Sequence, residues 1–193
     1  MSMSPTSFAI RAVVLLVVAS SLFLGAPSQV AAQDQKGDSL IAVWKDASRP
    51  DSVRYSACFD LIMEVLLYTW PDSAQGYAEE LERFTSERKM IKAQGSAMNL
   101  IASCEWTKGE YAAARSAFLR AMAFCEHHND QRGVAVAMAN IGTLFMTQGQ
   151  TDSAEIFMRK GMDVLRKSGD NAVSYTHLDV YKRQLQYGSA PTG

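Results

Sequence analysis

In this 193-residue sequence the three cysteines and three histidines are the first side chains to weigh for bond chemistry. The nucleophile candidates include Cys58, Cys104 and Cys125, and the imidazoles are His127, His128 and His177. Adjacent His127 and His128 point about 100° apart on a helix, so they cannot chelate one ion together. Near a helix C-terminus, their favourable interaction with the macrodipole accounts for them. Ser86, Glu87, Arg88 and Lys89 fit the S-x-x-K spacing of acyl-serine enzymes, but the partner motifs are missing, and four polar residues at a helix end read as a solvated face. There is no phosphate loop, dinucleotide glycine fingerprint, nucleophile elbow or metalloprotease helix signature. The expectation is a chain with no catalytic residues, no metal and no cofactor.

The odd number of cysteines raises the question of a disulfide. Cys104 precedes the turn near Gly109 and Cys125 follows it on the next helix. At about 1.5 Å rise per residue the two are offset by roughly 16 Å along antiparallel axes, whereas a disulfide needs Cα atoms within about 7 Å. Cys58 belongs to a different helix pair. All three are expected to be buried free thiols.

Charge excludes further classes. With 19 basic and 20 acidic side chains, there is no electrostatic case for nucleic acid or an anionic lipid surface. Abundant Ala and Met with few Pro favour helices. The first residues, Met1 to Arg11, carry one positive charge and no acid, and the apolar run Ala12 to Gly25 is short for a permanent membrane helix. Small residues precede a cut after Ala32, which completes the layout of a secretory signal peptide over residues 1–32. The mature chain is therefore expected to be exported, to the periplasm or another extracytoplasmic site.

These few groups must be positioned by something, and the answer is an internal repeat. Blocks of 40 residues starting at Asp51 align Ala74 with Ala114 and Ala154, and Ala78 with Phe118 and Met158. Leu61, Ile101 and Ile141 share a column, as do Ile62, Ala102 and Gly142. Apolar residues recur at three- and four-residue spacings inside each block, as in Ala114, Phe118, Ala121 and Phe124, so each block reads as two helices. Gly109 and Gly149 break the second and third blocks. In the first, the break falls at Thr69 to Ser73, with Pro71 suited to the start of a helix. Small residues in shared columns let helix axes approach to about 8 Å.

The stretch Asn140 to Met162, with Gly142, Phe145, Gly149, Ala154, Met158 and Gly161 at fixed spacing, resembles the tetratricopeptide repeats, and Ile101 to Ala121 resembles them nearly as well. The first block is degenerate and lacks the turn glycine. The 40-residue period is longer than the usual repeat of about 34. The resemblance covers about Asp51 to Asp170 and implies an all-α, right-handed solenoid of antiparallel helix pairs. It also implies a concave groove that binds a protein or peptide, with candidate positions Phe59, Met63, Leu66, Asn99, Ser103, Trp106, Thr143 and Met146. None of these is Lys or Arg, unlike the basic clamp of family members that hold a terminal carboxylate.

The organisation read from the sequence is a signal peptide (1–32), a linker with a short helix at Ser39 to Lys45 (33–50), three helix pairs (51–90, 91–130, 131–170) and a tail (174–193). The tail departs from the pattern, since Ser174 to Gln184 shows neither helical nor turn logic. Its "DVYKRQ" can be written GAT GTG TAT AAG AGA CAG, a string like the mosaic end of a transposase-based sequencing library. Ser174 to Gln184 is therefore expected to be translated adapter, with the natural protein continuing elsewhere. The function expected is a non-catalytic protein- or peptide-binding scaffold outside the cytoplasmic membrane. The alternative is the sensory region of a truncated membrane receptor, because Trp44 to Ala57 resembles the start of such regions in bacterial signalling proteins with kinase, nucleotide cyclase or DNA-binding outputs. That alternative needs a membrane anchor downstream.

Overall fold

The computed structural model describes residues 26–168. The charged and apolar parts of the expected signal peptide, and the expected adapter tail, lie outside the described residues. Seven helices run in order: α1 (Ala26–Lys45), α2 (Asp51–Asp60, continued by a π-helical turn Leu61–Leu66), α3 (Pro71–Glu87), α4 (Ile91–Thr107), α5 (Tyr111–His127), α6 (Gln131–Thr147) and α7 (Thr151–Ser168). Among the described residues there is no strand. Consecutive helices pack antiparallel, and α4 also packs on α6. The architecture is an all-α right-handed solenoid in which α2, α4 and α6 form an inner row and α3, α5 and α7 an outer one.

The 40-residue period resolves into starts at Asp51, Pro71, Ile91, Tyr111, Gln131 and Thr151, one every 20 residues. Four turns share one backbone device. Lys89, Gly109, Asn129 and Gly149 all have positive φ (55°, 82°, 57° and 72°). In each, the next residue's N–H donates back five positions, as Glu110 does to the Glu105 carbonyl at 2.9 Å and Gln150 to that of Phe145 at 2.9 Å. This Schellman arrangement satisfies helix-end carbonyls that otherwise lack partners.

The turn after α2 departs from this pattern. Thr69 occupies the place of Gly109 and Gly149, and a β-branched residue is strained at positive φ. The chain closes the helix instead with a π turn, in which Leu67 N–H donates to the Ile62 carbonyl at 2.8 Å. Pro71 begins α3, as the sequence suggested. The extra residue per turn rotates the rest of the helix, so Glu64 is exposed where its column mates Cys104 and Leu144 are buried. Lys108, at the α4–α5 turn, donates to Gln75 and lies 3.8 Å from both Asp72 and Glu110, tying neighbouring turns together.

The small-residue columns do sit at close crossings. Ala74, Ala114 and Ala154 are fully buried. A Cβ on Gly142 would lie 2.6 Å from Met158 Cγ, and one on Gly161 3.1 Å from the Ala135 carbonyl. A larger residue at either crossing between α6 and α7 would force its neighbours to shift.

The short helix expected at Ser39 to Lys45 is the end of the longer α1. A cut after Ala32 would leave Gln33 to Lys45 of it on the mature chain. Trp44 is buried and meets Phe84 edge-on, with ring centroids 4.8 Å apart. Arg54 closes the corner: its Nε donates to the Trp44 carbonyl at 3.0 Å, and its guanidinium lies 5.4 Å from the Trp44 ring and 4.8 Å from the Phe84 ring.

Candidate functional site

The inner row supplies one face that no other described helix covers. Along each inner helix, positions spaced by four and three residues share that stripe. On α4 it runs Lys92, Ser96, Asn99, Ser103, Trp106, and on α6 Arg132, Val136, Ala139, Thr143, Met146. On α2 it begins Ser52, Ser56, Phe59, Met63.

Within this stripe the expected groove residues fall into three groups. Met63 (36% exposed) and Thr143 are exposed. Phe59, Ser103, Trp106 and Met146 are half-buried, and Phe59, Trp106 and Met146 rest against the buried core with one side. Leu66 and Asn99 do not stand open to a ligand. Leu66 is turned into the core (9% exposed), because the π turn shifts it from the register of Trp106 and Met146. Asn99 is 5% exposed, and its side-chain nitrogen donates to the Gly95 carbonyl of its own helix at 3.1 Å. Its Oδ1 is buried with no partner among the described residues.

The hydroxyls behave consistently. Ser96, Ser103, Thr143 and Thr147 each donate to the carbonyl four residues earlier, at 3.0 to 3.2 Å. Their protons are committed, so toward a ligand these oxygens offer lone pairs. A wall of methionine, tryptophan and hydrogen-bond acceptors suits an extended segment that brings apolar side chains and backbone N–H groups.

Sequence reasoning passed over Lys92, Arg132 and Val136. They continue the stripe toward the helix N-termini by the same spacing, four before Ser96, seven before Ala139 and seven before Thr143. Carrying the periodicity two to three turns back from Asn99 and Thr143 would have found them.

The thiols are free and buried. Burial pushes Cys58 and Cys104 up to about 12 and Cys125 up to about 11, so none is a thiolate nucleophile near neutral pH. The phenol of Tyr55 is also raised by burial, partly opposed by the Ser96 side chain across the α2–α4 seam. Cys125 is a packing key instead: a Cβ added at Gly95 would meet its sulfur at 2.6 Å, and one at Gly133 at 2.5 Å. Asp130, beside it, caps α6 by accepting from Gly133 N–H at 3.1 Å. Among the described residues, no three His, Cys, Asp or Glu side chains converge as metal ligands.

Residues 94–167, from the first turns of α4 to the last of α7, match the family model described as tetratricopeptide repeat. No curated protein matches the chain. The consecutive helix packing agrees with this likeness to tetratricopeptide repeats.

Proposed function

We propose that this chain is a non-catalytic scaffold that holds a protein or peptide segment in the inner groove and works outside the cytoplasmic membrane. The carrying observation is the stripe on α4 and α6, most of it within the family match, where the acceptors Ser103 and Thr143 and the apolar Trp106, Val136 and Met146 keep some exposure at helical spacing. An extended segment there would pair its N–H groups with Ser103 and Thr143 and place side chains against Met63, Trp106 and Met146. The charged and apolar N-terminal segment is the basis for export.

A photo-crosslinking residue tests both parts in an exporting bacterial host. Placed at Thr143 it should yield protein adducts in the periplasmic fraction, with the processed chain starting near Gln33. At Ile156, exposed on the outer helix α7, it should yield none. Adducts from Ile156 alone would overturn the groove, and an unprocessed cytoplasmic product would overturn export.

A further inference from the structure

We propose that the outer face of α3 and α5 is the contact surface for a second copy of this chain, joined about a two-fold axis parallel to the helices. This contact is independent of the groove, which lies on the inner row. α3 (Pro71–Glu87) and α5 (Tyr111–His127) both pack on α4, run parallel and have the same length. Residues 40 apart therefore stand at the same height on the two helices. A two-fold axis between them in the contact plane lays α3 of one copy on α5 of the other. Each residue then stands opposite its column mate.

The charges suit that operator. α3 exposes Asp72, Glu79, Glu80 and Glu87 against Arg83, whereas α5 exposes Arg115 and Arg120 with Glu126 near its end. Glu80 faces Arg120 twice across the axis, and neither has an ion-pair partner among the described residues. The other face-to-face two-fold, perpendicular to the helices, would set Glu79 and Glu80 at the middle of α3 against themselves. Leu119, 37% exposed at the middle of α5, falls inside the contact. So does Gly76, an exposed glycine inside α3 whose added Cβ would meet nothing within 4 Å. Glycine weakens a helix interior relative to alanine, and no described neighbour requires it at this position. Opposite Ser116 of the second copy, it lets two helices approach closely. Two helices about 25 Å long and roughly 10 Å wide give about 1,000 Å² over both copies, the low end for a specific interface. The expected dimer is weak, and its two inner grooves face outward on opposite sides.

Sedimentation velocity of the full chain, run from about 5 to 500 µM, should show a monomer–dimer equilibrium that added salt weakens several-fold. Glu80→Arg and Arg120→Glu should each reduce association roughly tenfold or more, because every dimer then holds two like-charged pairs. Both residues are exposed, so circular dichroism of each variant should be unchanged. Mixed in equal amounts, the two variants should associate as the native chain does, since each supplies the charge that the other lost. Gly76→Gln fills space that is open in the monomer, so it should keep or raise the urea midpoint while weakening the dimer. A chain that stays monomeric over the whole range overturns the proposal. So does a dimer indifferent to both charge reversals, or a pair of reversed variants that fails to associate on mixing.

Discussion

Arg54 ties the end of α1 to α2 and α3. One end caps a helix carbonyl, its plane covers two aromatic rings, and its charge lies 3.8 Å from Asp51. Removing it exposes the Trp44–Phe84 contact and leaves the end of α1 uncapped. Arg54→Ala should cost about 1–3 kcal/mol in urea unfolding, and Arg54→Lys should recover little, because an ammonium cannot stack and bond at once. Full rescue by lysine would show that only the charge matters. Little of this corner is legible in the sequence. The residues mark Trp44 to Ala57 as a unit by resemblance, but not that Arg54 and Trp44, ten residues apart, meet across a turn.

At the scale of the element, helix boundaries are legible from turn residues, whereas the form of each helix end is not. Gly109 and Gly149 announce their turns, and Pro71 marks the start of α3. Thr69 carries no such signal, and the π turn it leads to removes Leu66 from the groove. Asn99 is missed for a different reason: the family resemblance assigns it to the groove, but its amide folds back onto the Gly95 carbonyl of its own helix. The close crossings carry a test of the packing. Gly95→Ala adds a methyl that meets only the Cys125 sulfur tightly, at 2.6 Å. Alone it should cost about 1–3 kcal/mol by overpacking. In a Cys125→Ala background the cost should vanish or reverse, since alanine is the better helix former by about 1 kcal/mol. Additive effects in that double-mutant cycle would contradict the junction.

For the whole molecule, three buried thiols set a pH limit. Their folded values of about 12, 12 and 11 lie above the ordinary 9.0, so the folded state favours the neutral form. Stability from this source is complete below about pH 9 and is lost as pH rises through 11 to 12. The urea midpoint should fall over that window, and Cys58→Ala should flatten the fall. An unchanged slope would mean that Cys58 keeps an ordinary thiol value in the fold. Two core clusters, one running from Trp44 to Cys104 and one from Ala102 to Ala154, hold the inner row in place while leaving its stripe uncovered.

That uncovered stripe is the central claim, and methionine-methyl NMR reads it most directly. The full chain, labelled at methionine methyls, is titrated with a peptide cut from the protein that the Thr143 photo-crosslink captures. Met63 and Met146 lie on the inner stripe, whereas Met122 and Met162 belong to the outer helices α5 and α7. Saturating shifts at Met63 and Met146, with Met122 and Met162 unmoved, are the expected result. Shifts confined to Met122 or Met162 would place binding on the outer layer and contradict the account.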